Sequence, residues 1–404
     1  MKNITFCVIE GKSVAFYGGI AVSILFIILG LFSAYNMEHH GHIITGMNNQ
    51  IVWGVPHIFA IFLILAASGV LNVASISSVF RKIFYHPLAR LSALLAITLL
   101  IGGLSVLLLD LGRPDRLVIA MTSYNFKSIF AWNILLYNGF LVICALYLWF
   151  MMERRMQRYY PIVGLTAFIW RLILTTGTGS IFGFLVAREA YHTAIMAPLF
   201  IALSLSLGLA VFLIVLLIDC WETHCALGEA ILHRPKTLLG VFIAAVFYFV
   251  LIYHLSHLYF TGRHGVEYFI LAGSGVYTVL FWGGYLFLGT ILPLLLLYHD
   301  KFTHNRVSIA AASLLTIIGG FSLLYVIIIG GQAYPLEIFP GMEVTSSGFF
   351  DHLDKHPYSP SVWEILLGIS GIGISALLTV LAVRILPFMP RSLADSDIDE
   401  TFKQ

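Results

Sequence analysis

An all-α integral membrane protein with about ten transmembrane helices is the fold class this chain predicts, and three observations carry it. Of 404 residues, 59% are hydrophobic and 10% charged, and the mean hydropathy is +0.94. Apolar runs of about 20 residues, the length a helix needs to cross a bilayer, recur from end to end. The runs are continuous rather than alternating. Only helices or closed barrels satisfy the backbone in lipid, so helices are expected. A formal net charge of +2 leaves no footprint for nucleic acid.

Ten spans follow in chain order. The first, 14–34, comes after Lys2 and Lys12 and is long enough to span, so it reads as a membrane helix and not a cleavable signal. The second, 53–79, opens on Trp53-Gly54-Val55-Pro56-His57. The third, 90–111, closes on Leu109-Asp110-Leu111-Gly112-Arg113-Pro114-Asp115-Arg116. The fourth, 128–151, is entered through Tyr124-Asn125-Phe126-Lys127-Ser128, and the fifth, 162–187, carries Arg171 about ten residues in. Spans six to nine lie near 195–219, 238–260, 269–297 and 308–331, with Pro293 a kink point in the eighth. The tenth, 362–386, precedes a tail, 387–404, that turns acidic after Arg391 and reads as solvated.

Orientation follows from Lys and Arg. With the N-terminus inside, the inner segments hold fifteen of the 22, Arg171 lies within a span, and the outer segments hold Arg113, Arg116, Lys127, Arg188, Arg263 and Lys355. Both termini are therefore expected in the cytoplasm, and the Asp110 end faces outward. Two outer loops exceed a tight turn. Residues 35–52 carry Glu38, His39, His40 and His42; residues 332–361 carry Glu337, Glu343, Asp351 and Asp354. They cap the outer face, form a docking surface, or simply connect.

Cys7, Cys144, Cys220 and Cys225 have no spacing suited to zinc or an iron–sulfur cluster, so no metal site is expected. Haem needs two axial ligands at similar depth. A pairing of His57 with His254 stays open; His254 and His257, three residues apart on one face, cannot ligate a single haem together. No repeated histidine pattern supports haem.

The densest chemistry lies where spans two, three and four meet the outer boundary. Acids, bases and aromatics there are costly unless they bind something. His57, Asp110, Trp53, Tyr124 and Trp132 come to one depth if neighbouring spans pack together. A quinone head group asks for such a set: a proton-exchanging group at its carbonyls, aromatic walls, and access from lipid. The same aromatics and Arg113 and Arg116 also suit plain interfacial anchoring.

Trp53-Gly-Val-Pro-His57, Leu109-Asp110-Leu-Gly-Arg113-Pro114-Asp-Arg116 and Ser128-Ile-Phe-Ala-Trp132 together resemble the NrfD/PsrC family, the membrane subunits of polysulfide-reductase-like complexes. The ten-span length and the Thr175-Thr-Gly-Thr-Gly-Ser180 run resemble its larger DsrP/HmeC-like branch. The resemblance implies two four-helix bundles, 53–187 and 195–331, with 14–34 and 362–386 as flanking helices. It implies a haem-free subunit with no iron–sulfur cluster of its own. Menaquinone or ubiquinone would be bound in the first bundle beside a periplasmic ferredoxin-like iron–sulfur subunit. Further subunits of cytochrome, molybdopterin or sulfur-enzyme type, sulfur-compound metabolism and a bacterial inner-membrane location are implied with it. His57 falls where the family's quinone-contacting histidine falls. Gly54 departs from the asparagine found nearby in polysulfide reductase, so one contact there differs or is lost.

Arg171 is a second polar feature, with Thr175 above it and Ser68, Asn72 and Ser75 at helical spacing on span two. Two readings stand: a hydrated proton path toward the quinone pocket, or a static clamp between helices. A permanently charged Arg relays protons poorly, which favours the clamp. In span seven Tyr253, His254 and His257, with Arg263 and Glu267 beyond, form another outer cluster: packing, a degenerate second site, or a docking surface.

The expected function is two-electron, two-proton exchange between a membrane quinone and an outer iron–sulfur partner, with His57 and Asp110 as the reacting pair. Trp53, Gly54, Tyr124 and Trp132 would line the pocket, and Arg113, Arg116 and Lys127 would meet the partner. A transporter is the rival, though its charges would gather nearer the midplane. A purely structural anchor is the other.

Overall fold

The computed structural model describes residues 6–334, apart from 224, 274, 300, 301, 303 and 304, and residues 358–394. The acidic residues expected in the 332–361 loop and those of the tail beyond 394 lie outside the described residues, as do Lys2, Lys301, Lys355 and Lys403. Ten helices among the described residues are long and apolar enough to cross a membrane. They are α1 (Val14–His40), α2 (Val55–Ser78), α3 (Ala89–Leu109), α4 (Ile129–Met152) and α5 (Tyr160–Gly183). Then come α6 (Met196–Glu222), α7 (Glu229–Tyr259), α8 (Val276–Tyr298), α9 (Arg306–Ala333) and α10 (Val362–Ile385).

Four boundaries differ from the sequence expectation. Helix α1 continues to His40, because nothing stops it before Gly41, whose φ of 77° ends the helix in the left-handed region. Glu38, His39 and His40 are therefore helical rather than part of a loop. Helix α5 ends at Gly183, four residues before the expected 187. Helix α7 begins at Glu229, ahead of its apolar stretch, since hydropathy marks the lipid-buried part of a helix and not its hydrogen-bonded length. The eighth span starts at Val276; His264–Leu271, whose tail falls inside the expected span, is a separate short helix.

Helix α2 is the hub. It is buried almost all round, against α3, α5, α6 and α10, which is why its sequence is apolar on every face. At its middle, Gly69 faces Ser204 and Gly208 of α6 so closely that a Cβ on either glycine would overlap the facing backbone. Such small-residue contacts let helices associate in lipid, where no hydrophobic drive separates helix from tail. Helix α10 lies along α3, and α1 packs on α10; Gly30 meets Ser370, and Thr98 and Thr379 hydroxyls bond at 2.9 Å. Helices α6 to α9 pack on one another, with Gly289 of α8 against Gly319 of α9. Two stretches wind as π-helix, Leu280–Ile291 in α8 and Val326–Gly330 in α9. Large side chains such as Leu25, Ile28, Val142 and Leu251 stay exposed on the rim, the face that lipid covers. Short strands β1 (Phe6–Cys7) and β2 (Met389–Pro390) pair antiparallel and join the segment before α1 to the one after α10.

Candidate functional site

Pro56 is tolerated in the first turn of α2 because that N–H would be unpaired anyway. It starts the helix so that His57 lies in the first turn. Asp110 is the C-cap of α3. A carboxylate is disfavoured at a helix C-terminus and favoured at an N-terminus. The packing of α3 on α2 sets Asp110 beside the start of α2, which offsets the first effect with the second. His57 Nδ1 then lies 2.8 Å from Asp110 Oδ2. The pair is off hydrogen-bonding alignment, so neither that nitrogen nor either carboxylate oxygen has an aligned partner among the described residues. The Asp110 side chain is 1% exposed and that of His57 24%.

Both line a cleft of about 350 Å³ that is open to the surface. Its other walls are His42, Ile43, Met47, Asn48, Asn49 and Val52, from the segment between α1 and α2. His42 Nε2 donates to the Asp110 carbonyl at 3.1 Å, since a carbonyl only accepts. Asn48 Oδ1 accepts from the Gln50 and Ile51 amides, which folds the strap into a turn over the cleft. From sequence this segment reads as a cap, a docking surface or a connector, and nothing in it singles out Met47, Asn48 or Asn49.

The expected walls are distributed differently. Trp53 packs near His57, with ring centroids 6.3 Å apart, and against Phe130 and Phe182. Tyr124 stacks on Phe126, and the Trp132 indole donates to the Phe126 carbonyl at 2.8 Å. Neither lines the cleft, because the short helical stretch Pro114–Thr122 sends the chain around the rim before α4 begins. Gly54 meets no ligand space either. A Cβ there would overlap the Glu364 carboxylate, the Tyr358 hydroxyl and Met47, so the glycine is needed for close approach of α10. Arg113, Arg116 and Lys127 are exposed at this end of the molecule.

Three residues missed in the sequence hold the entrance to α2. Buried Gln332 of α9 accepts from the Val52 and Trp53 amides and donates to the Trp53 carbonyl, at 2.9, 3.0 and 3.0 Å. Tyr358 accepts from the Val55 amide at 2.9 Å and donates to Glu364 Oε1 at 2.6 Å. Glu364, fully buried, also accepts from the Gly46 and Ser361 amides at 2.9 and 2.7 Å. Arg188 reaches the Gln50 and Gln332 carbonyls, and burial pulls its guanidinium below the ordinary value, partly offset by Tyr191.

Deeper in the membrane, Arg171 is 2% exposed. It donates to the Ser68 carbonyl at 3.3 Å and to Asn72 Oδ1 at 3.2 Å, and pairs with no carboxylate among the described residues. Thr175 bonds back to the Arg171 carbonyl, whereas Ser75 bonds within its own helix and takes no part. In the second cluster Glu267 meets His254 Nδ1 at 2.6 Å and His257 Nδ1 at 3.1 Å. Among the described residues no three of His, Cys, Asp or Glu are grouped to hold a metal ion.

A family model described as polysulphide reductase, NrfD, matches residues 43–335. The chain is also similar to the Hdr-like menaquinol oxidoreductase integral membrane subunit of Archaeoglobus fulgidus, 27% identical over 396 residues. That alignment covers 97% of this chain and 98% of the relative, so the likeness takes in α1 and α10 as well. A selenate reductase subunit from Mesobacillus selenatarsenatis is 25% identical over 398 residues, 89% of this chain and 91% of its own. Protein NrfD of Escherichia coli is 26% identical over 315 residues, 70% of this chain and 96% of its own.

Proposed function

Since the chain belongs to the NrfD polysulphide reductase family, we propose that it is the quinone-reactive membrane subunit of a respiratory oxidoreductase complex. In this reading it exchanges electrons between a membrane quinol and an iron–sulfur partner on the outer face. The observation that carries the proposal is the His57–Asp110 pair at the wall of an open cleft. The cleft volume falls at the lower end of small-molecule sites, roughly 300–1,000 Å³. Ile43, Met47 and Val52 offer apolar walls for a ring; His42, Asn48 and Asn49 offer polar contacts for its oxygens.

The chemistry of the pair follows from its geometry. Nδ1 of His57 faces Asp110, leaving Nε2 for a substrate hydroxyl in the cleft. His57 takes the hydroxyl proton on Nε2, and the Asp110 carboxylate stabilises the imidazolium and fixes its orientation. The loose alignment of the pair suits a site whose hydrogen bonds tighten only around substrate. Two protons leave through the pair to the cleft mouth, and two electrons pass to the partner's cluster. The chain supplies no electron carrier, so the partner is obligatory. Exposed Arg113, Arg116 and Lys127 sit at the same end, where they would guide an acidic partner.

The name of the Archaeoglobus relative favours menaquinol, and the family description favours sulfur-compound metabolism. The outward direction of the cleft and the cytoplasmic position of both termini rest on the Lys and Arg distribution. For Arg171 the clamp reading is adopted: both of its bonded donors are spent on fixed acceptors of α2. The test of the function is quinol-analogue binding and oxidation by the purified complex and its His57→Ala and Asp110→Asn variants. Loss of turnover in folded complexes supports the site. Unchanged binding and turnover in both removes it.

A further inference from the structure

The second bundle repeats the pairing of histidine with buried carboxylate, but around a space of a different size. We infer that His254, Glu267 and His257 form a proton-exchange site, in which His254 takes up and releases the proton. It rests on the quinone reading only for what drives it.

Glu267 is 1% exposed in its side chain, with Oε2 2.6 Å from His254 Nδ1 and Oε1 3.1 Å from His257 Nδ1. A carboxylate only accepts, so both Nδ1 atoms carry hydrogen. Arg263 Nη1 lies 2.7 Å from His257 Nε2, and a guanidinium only donates. His257 is thereby fixed neutral, with both nitrogens engaged. His254 differs. Its polar contact is through Nδ1 to Glu267, and its ring lines a narrow, partly open cavity with Tyr253, Val250, Ile327 and Gly331.

That cavity measures about 10 Å³, against about 350 Å³ for the cleft at His57. It has room for about one water molecule and none for a quinone ring. The other titratable groups around it are committed. Tyr253 donates to the Ala190 carbonyl and Tyr191 to the Ile328 carbonyl, each at 2.6 Å, while Arg188 is held by backbone carbonyls. Arg263 also donates to the His192 carbonyl at 3.0 Å.

Buried polar atoms without partners among the described residues occur at different depths on α6, α8 and α9. Tyr285 Oη, in the half of α8 nearest His254, is buried without a partner among the described residues. So are Ser313 Oγ in the opposite half, on α9, and Asp219 Oδ2 at the far end of α6. Buried polar atoms without protein partners are where internal water is held. The Phe281 ring touches both His254 and Tyr285. Tyr285 lies in one π-helical stretch, and Val326 and Ile327 of the other line the cavity; such distortions recur at functional sites. His254 gains one proton on Nε2, the Glu267 carboxylate stabilises the imidazolium so formed through Nδ1–H, and the same proton leaves from Nε2, which returns the ring to neutral.

The experiment uses the whole complex in vesicles, with valinomycin and potassium to collapse the potential and a quinol analogue as donor. In Glu267→Gln and His254→Gln, electron transfer should stay within about twofold of wild type. Protons released per quinol should fall to the two that the quinol itself gives up. An unchanged count in both variants overturns the inference. A second readout needs no turnover: infrared pH-difference spectra of the complex with ring-labelled histidine. A protonation band present in wild type and lost in His254→Gln supports the site, and a wild type lacking any such band overturns it. Failure of the quinone reading shows separately, as quinol oxidation that survives His57→Ala.

Discussion

His57 and Asp110 come from helices joined through residues 79–88, yet they meet at the far end of both, Nδ1 to Oδ2 at 2.8 Å. Their lack of hydrogen-bonding alignment leaves the carboxylate poised instead of satisfied. An uncompensated buried carboxylate is costly, so a ligand that draws the pair into line recovers free energy on binding.

The first prediction concerns that pair. Asp110→Asn keeps the shape but removes the charge that stabilises a His57 imidazolium. Quinol oxidation should fall by roughly 10²–10⁴-fold, the usual worth of positioned acid–base catalysis. The loss should appear in kcat more than in KM, because the ring contacts remain. Steady-state kinetics with a soluble quinol analogue checks the split; a loss confined to KM would assign Asp110 to binding alone.

Gly54 sets the second. A methyl group there overlaps Glu364, Tyr358 and Met47, so Gly54→Ala must push α10 away from the entrance of α2. Overpacking of this kind costs about 1–3 kcal/mol. Thermal unfolding in detergent should register it. Trp53 fluorescence should shift with it, since Trp53 immediately precedes Gly54 at that entrance.

How far the sequence discloses this arrangement depends on the distance over which each signal acts. Ten spans are legible because hydropathy is local, and His57 with Asp110 because polar residues at a membrane boundary stand out against an apolar chain. The strap over the cleft is not. Asn48 works through its own turn and Met47 through shape, and neither property shows in composition. Tyr124 and Trp132 mislead because interfacial aromatics look alike whether they line a pocket or the rim. Glu364 does leave a signal: Ser361-Val-Trp-Glu364 is a capping box at the start of a span. What no local pattern shows is that the same carboxylate also reaches Gly46 and, through Tyr358, the first amide of α2.

The third prediction follows from Arg171. If it clamps α5 to α2, Arg171→Met removes two bonds to Ser68 and Asn72 but leaves the His57 cleft untouched. Each lost bond to a charged donor is worth about 1.5–3 kcal/mol. The variant should unfold at lower temperature and, once folded, oxidise quinol at the wild-type rate. Proton uptake that falls while stability holds would favour a path over a clamp.

The fourth comes from Glu267. Burial pushes its carboxyl up, but the hydrogen bonds from His254 and His257 outweigh it and leave the group below its ordinary value of 4.5. For a carboxylate with a depressed folded pKa, the stabilisation is fully present above the unfolded pKa and is lost as pH falls through the folded one. The window thus opens near 4.5 and extends downward. Wild type should lose stability faster than Glu267→Gln as the pH falls through that window, while above it the wild type stays the more stable of the two. Thermal unfolding of both proteins across a pH series measures the difference. Parallel curves would mean that the two histidines do not hold the carboxylate in its charged form, and the assignment of the proton to His254 would fall with them.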